Sequence, residues 1–257
     1  MMNQVGTGRG MPIARRHLLG LAAALPLTGV AGAAQVRDTV PGESWDARWQ
    51  RLMREDYPHL FRYRAENAEV LAAGKPVGIV FMGDSITEGW RGKRPAFFSA
   101  GRIGRGIGGQ TTPQMLARFQ QDVVNLKPRY VHLMAGTNDI AGNTGPMSAE
   151  DTHNNFRAMA AIAKANDIGL ILASIPPASA FPWRPGLDVL GPIAAHNRWL
   201  RQFAAEQKAT YVDYHPALAG PDGGMKPGMA DDGVHPTDAG YDVMASVLSP
   251  VLKRLKV

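Results

Sequence analysis

The sequence predicts an α/β fold, a three-layer α/β/α sandwich around a parallel sheet of about five strands, and three observations predict it. Apolar runs of strand length recur along the chain, and helical patterns separate them. Chemically active side chains stand just after those runs or in the loop before the last helix, the sheet edge where such folds bind ligands. With 257 residues, 45% hydrophobic and 19% charged, the chain can bury one good core.

The N-terminus reads differently from the rest. Arg15-Arg16 precede the apolar stretch Leu18 to Val30, and Ala31-Gly32-Ala33 offers small residues for cleavage, so residues 1–33 read as a secretory signal peptide. The adjacent arginines fit the twin-arginine route, with the basic start of a Sec signal as the alternative. Either route implies a periplasmic or secreted protein. Absence of cysteine fits that setting, because a chain of this size needs no disulfide.

Loss of this segment removes Arg9, Arg15 and Arg16 and no acid, so the net charge of +6, from 28 basic and 22 acidic residues, falls to +3. The remaining Lys and Arg are scattered without interleaved aromatics, which argues against a nucleic-acid surface. No apolar run is long enough to span a bilayer, so no stable membrane anchor is expected.

Residues 34–76 read as an N-terminal helical extension. From Trp45 to Leu71 the pattern is amphipathic, interrupted near Pro58, and Trp45, Trp49, Leu52, Leu60 and Phe61 are expected on the core. Residues 77–257 then carry the alternation. Strands are expected at Val77 to Met82, Ile103 to Ile107, Tyr130 to Ala135, Ile168 to Ser174 and Thr210 to Asp213. Helices are expected near Pro113 to Val124, Ser148 to Asn166, Pro192 to Lys208 and Thr237 to Leu255. There is no internal repeat and no second domain boundary within this stretch.

Four segments concentrate the chemistry. Gly83-Asp84-Ser85-Ile86-Thr87 places a hydroxyl where the first strand ends, and Gly106-Ile107-Gly108-Gly109-Gln110-Thr111 supplies flexible backbone. Gly136-Thr137-Asn138-Asp139 follows the third strand, and Asp232-Gly233-Val234-His235-Pro236 precedes the last helix. A serine needs a base to take its proton and donors for the developing oxyanion. His235 can be that base when neutral, one ring nitrogen facing Ser85 and the other donating to a carboxylate. Asp232, three residues earlier, can reach the same imidazole across a bend at Gly233, while Pro236 is expected to start the helix. Asp231 is the adjacent alternative.

In this order and spacing the four segments resemble the signature blocks of the SGNH hydrolases, the GDSL esterase/lipase family, over most of the chain from Val77 onward. The resemblance implies a flavodoxin-like SGNH hydrolase fold and a serine esterase needing no cofactor and no metal. It implies Ser85 as nucleophile, His235 as general base and Asp232 as its orienting acid, the family spacing favouring Asp232 over Asp231. The backbone N–H groups of Ser85 and Gly109 and the amide of Asn138 would form the oxyanion hole. Ile86 stands where the family name has leucine, and an apolar residue still fills the slot.

Competing motifs are weaker. Gly104 to Gly109 formally match G-x-G-x-x-G, but no clean strand precedes them and no acid follows at dinucleotide spacing. The G-x-S-x-G elbow of α/β-hydrolases is absent, since Thr87 stands at its last position. His132 and His215 read as structural. Asp84 and Asp139 read as loop-holding carboxylates.

For the substrate, a small-molecule or carbohydrate ester, the expected lining is Trp90, Phe181 and Trp183, with Phe97 nearby. Aromatics in a proline-stiffened loop could stack on a sugar or shelter a short acyl chain. The resemblance also admits lysophospholipids and thioesters. A non-catalytic carbohydrate binder on the same fold is the alternative from another class. The sequence is silent on oligomeric state.

Overall fold

The computed structural model describes Met1 and residues 40–257; the expected signal peptide and the first residues of the extension lie outside them. In chain order the main elements are α1 (Trp45–Glu55), α2 (Arg64–Ala72), β1 (Ile79–Gly83), α3 (Ser85–Lys93), β2 (Arg102–Gly106) and α4 (Thr112–Asp122). They continue with β3 (Tyr130–Met134), α5 (Thr137–Ala141), α6 (Ala149–Ala165), β4 (Gly169–Ala173), α7 (Leu190–Glu206), β5 (Thr210–Val212), α8 (His215–Leu218) and α9 (Asp238–Leu255).

The five strands form one parallel sheet in the order β2-β1-β3-β4-β5. Strand order therefore reverses between β1 and β3, the crevice where a doubly wound sheet binds its ligand. Register aligns Gly83 with Gly106 on one side and Met134 on the other. The loops after β1, β2 and β3 consequently leave the sheet at one level.

Alternation along β1 builds two cores. Ile79 and Phe81 face α3 and α9, where Trp90, Tyr241, Met244 and Leu248 are buried. Val80 and Met82 face the opposite layer, with Met115 and Phe119 of α4, Phe156 and Met159 of α6 and Leu200 of α7. A strand buried on both faces reads as a continuous apolar run, which is why β1 was legible.

The extension is two helices, α1 and α2, separated around Pro58 as expected, and only part of its apolar stripe reaches the core. Leu52 is buried, whereas Trp45 is 61% exposed and Trp49, Leu60 and Phe61 are half-buried. Buried polar bonds complete the attachment: the Tyr63 hydroxyl donates to the Gly106 carbonyl, and Asn67 Nδ2 donates to Asp122 at 2.7 Å.

Two further differences concern the turns. After β1 the chain enters helix α3 at once, and Asp84 caps it by accepting the Ile86 N–H at 3.0 Å. The last helix starts at Asp238 rather than Pro236, because the Thr237 hydroxyl caps it by accepting from Gly240 N–H, and Pro236 pairs with Ala230 in an isolated bridge.

Helix α3 carries Trp90 into the core. The indole is fully buried, stacks on Phe97 at 4.9 Å and Tyr241 at 5.9 Å, and meets Phe81 edge-on. Trp90→Ala is expected to cost about 3–5 kcal/mol, read from the denaturant midpoint; a loss under about 1 kcal/mol would contradict this packing. Asp84 supplies a second test. Burial raises its pKa from 3.8 to about 6, partly opposed by the Ile86 N–H and the charge of His235. A raised carboxyl binds more protons in the folded state, so its stabilising contribution is full below pH 3.8 and lost as pH rises through about 6. Melting temperatures of Asp84→Asn should show a flatter fall over that interval than those of the parent.

Candidate active site

Ser85 is the first residue of α3 and projects at the end of β1. His235 arrives on the loop before α9, and its Nε2 lies 2.9 Å from Ser85 Oγ. On the other side of the ring, His235 Nδ1 lies 2.7 Å from Asp232 Oδ2. With Nδ1–H donating to the carboxylate, Nε2 is left as an acceptor toward the serine hydroxyl.

The local chain explains how Asp232 reaches the ring. Its other oxygen accepts the His235 and Val234 N–H groups at 2.8 and 3.0 Å, closing a turn in which Gly233 takes φ +87°. Partial burial works to raise the Asp232 pKa, but those N–H bonds and the imidazole outweigh it and hold the carboxyl below its usual range. Asp231, the sequence alternative, is engaged elsewhere: its carboxylate pairs with Lys93 at 2.5 Å. Lys93 Nζ also donates to the Pro236 carbonyl, and Arg94 pairs with Asp238 and Asp242 at 2.7 Å each, so the end of α3 clamps the histidine loop.

Opposite the histidine lies the loop after β2. Glu88, one turn beyond Ser85 on α3, accepts the Gly108 N–H at 2.8 Å. Gly109 has φ +76°, and its N–H has no partner among the described residues. A side chain there would be strained, and a Cβ would approach Trp49 Cζ3 to 3.0 Å. The Ser85 N–H belongs to the opening turn of α3, whose amides lack helical acceptors.

Asn138 sits on α5, just after β3 and Gly136. Its Nδ2 donates to the Gln110 carbonyl at 3.0 Å, and its Oδ1 accepts from Asn143 Nδ2 at 2.9 Å. That pair of bonds fixes which way the amide points and leaves the second amide hydrogen for the cleft Asn138 lines. Asn143 also donates to the Gly109 carbonyl at 3.1 Å. Beneath the loop, buried Arg118 donates to Gly83 O at 3.0 Å and Gln110 Oε1 at 2.6 Å. Asp139 is buried and accepts from Thr112 and Thr152, holding the loop base.

These groups open on a cleft of about 650 Å³. Trp183 lines it, stacked on Phe181 at 5.1 Å and 6.0 Å from His235, with Nε1 donating to Asn143. The remaining aromatic expectations need correction. Trp90 is a core residue, on the side of α3 away from the cleft; Phe181 is buried beneath Trp183; and Phe97 packs against Trp90. In their place the cleft takes Trp45 and Trp49 of α1, which the sequence assigns to the core.

Sequence reasoning missed Glu88, Asn143 and Lys93. Glu88 had a usable signal, a carboxylate three residues after Ser85 and so on the same face of a helix. Two of the other histidines lie apart: His132 is buried with Nε2 2.9 Å from the Tyr214 hydroxyl, and His215 begins α8 beside a separate shallow pocket of about 190 Å³.

Three relatives frame the site. A Bacteroides fragilis protein assigned as an acylhydrolase superposes with a TM-score of 0.73 at 42% identity, covering 78% of this chain and 99% of its own. An acetylxylan esterase of Geobacillus stearothermophilus is 26% identical over 202 residues, 65% of this chain and 90% of that protein. The uncharacterized lipoprotein YqeF of Bacillus subtilis is 54% identical over 39 residues, which is 15% of this chain and only 16% of the lipoprotein. The model of the GDSL-like Lipase/Acylhydrolase family matches residues 81–243, a span that runs from β1 through both glycine-bearing loops and past the His235 turn. That match covers more than half of the chain, which belongs to this family and is an ester hydrolase.

Proposed function

We propose that the chain is a serine esterase that cleaves small or short-acyl carboxylic esters through an acyl-serine, acting outside the cytoplasm and on O-acetylated carbohydrate. One observation carries the chemistry: a single imidazole lies 2.9 Å from Ser85 Oγ on one nitrogen and 2.7 Å from Asp232 on the other. His235 takes the Ser85 proton as Oγ attacks the ester carbonyl, and the carbonyl oxygen becomes the oxyanion. The Ser85 and Gly109 N–H groups and the Asn138 amide receive that charge. Collapse expels the alcohol with the proton from His235 and leaves the acyl group on Ser85. Water, deprotonated by the same imidazole, then releases the acid and restores the serine.

The polar character of the cleft supports a short acyl group. Glu88, Asn143 and Arg184 face it between the tryptophans, so it is no continuous apolar slot for a long chain. Likeness to an acetylxylan esterase at 26% identity supports the carbohydrate reading. Export is supported by Arg15-Arg16 and the apolar stretch after them, and by the short match to a lipoprotein.

A fluorophosphonate probe should label the parent and not Ser85→Ala; an unlabelled parent would overturn the serine mechanism. Asn138→Ala should lower kcat by about 10² to 10³ with KM little changed, because the donor acts on the oxyanion rather than on the bound ester. On p-nitrophenyl esters graded by length, acetyl should be hydrolysed faster than decanoyl. The reverse order would sink the short-acyl reading.

A further inference from the structure

We propose that Trp45 and Trp49 of α1 form a stacking platform for a sugar ring on the alcohol side of the ester, and so select which carbohydrate esters reach Ser85. This deepens the esterase reading above and rests on it. Helix α1 lies ahead of residues 81–243, so the platform is built outside the segment that the family model matches.

Among the described residues, Trp45 takes no part in the buried core. Leu52 seats α1 on the core, and Ser44 caps its start by accepting the Ala47 N–H at 3.2 Å, yet Trp45 remains 61% exposed. Exposure alone is ordinary, but a tryptophan that keeps a face open beside a cleft suits a binding surface, where such residues are enriched. One turn along, Trp49 lies parallel to it, the rings 5.6 Å apart and 7° from coplanar directions. Trp49 in turn sits over Gly109, within 3.0 Å of where a Cβ would be. The two indoles thus make a stepped aromatic surface running outward from one of the proposed oxyanion donors.

The same cleft carries Trp183, which lies beside His235. Glu88, Asn143 and Arg184 supply its polar groups, and the Arg184 guanidinium has no acceptor among the described residues. A pyranose matches this pattern, since it offers C–H bonds on its flat faces and hydroxyls around its rim. An alkyl chain matches it poorly. It would cover Arg184 without supplying an acceptor, and a polar group so desolvated is costly.

The test compares Trp45→Ala, Trp45→Phe and Trp45→Leu with the parent, using acetylated xylooligosaccharides and p-nitrophenyl acetate. Trp45→Ala should lower the ratio of kcat/KM for the oligosaccharide to that for p-nitrophenyl acetate by about tenfold, through KM, as expected for one lost aromatic stack. Trp45→Phe should restore most of the ratio and Trp45→Leu should not. An unchanged ratio in Trp45→Ala overturns the platform, and so does equal rescue by leucine, which would mark a general apolar contact. A parent that hydrolyses p-nitrophenyl acetate but neither binds nor hydrolyses the oligosaccharide overturns the platform alone. If the parent hydrolyses neither ester, the esterase reading fails. Calorimetry with unsubstituted xylooligosaccharide then decides the platform separately, since binding lost in Trp45→Ala supports it and absent or unaltered binding refutes it.

Discussion

A guanidinium sealed from water underlies the whole site. Arg118 has no exposed surface, and burial works against its charge. Such a cation is tolerated only where acceptors surround it. Here they are Asp122 at 3.0 Å, the Gly83 carbonyl at the end of β1 and the Gln110 side chain on the loop after β2. Asp122 also accepts from Asn67 of α2, whose own oxygen accepts from buried Arg105 at 2.8 Å. The strand that delivers Ser85 and the loop that delivers Gly109 are therefore registered to the same charge.

Helix α3 extends that registration to His235. Ser85 opens it, Glu88 holds Gly108, and Lys93 and Arg94 at its far end grip the loop and helix that follow Asp231. Exposed ion pairs of this kind are individually weak. Several leaving one rigid helix still bring Ser85 and His235, 150 residues apart in sequence, to hydrogen-bond distance.

β1 and β3 were legible because burial on both faces leaves little polar alternation to misread, and the residues after them inherited that clarity. Trp90 was not, for a geometric reason. Five residues of helix turn the side chain about 140° from Ser85, but that is visible only once α3 is known to begin at the serine itself. Trp45 and Trp49 misled differently: an apolar stripe at helical spacing does face inward here, but partly toward a cleft instead of a core. Glu88 was marked by its place one turn after Ser85, but its backbone partner on the loop after β2 was not, and nothing in the residues around Asn143 reports its partner at Gly109. Asp232 was favoured over Asp231 by the spacing of the family resemblance, and the structure adds the physical reason, since Lys93 occupies Asp231.

Asn143 carries one more meaning. A free amide side chain turns in water, and aligning it at the moment of bond formation would add to the barrier. In this protein the turning is finished in advance: Asn138 is held at its oxygen by Asn143 and at one hydrogen by Gln110, and Asn143 is braced by Gly109 and Trp183. On the proposed mechanism the alignment cost is thus met once, when the chain folds, and not again at each turnover.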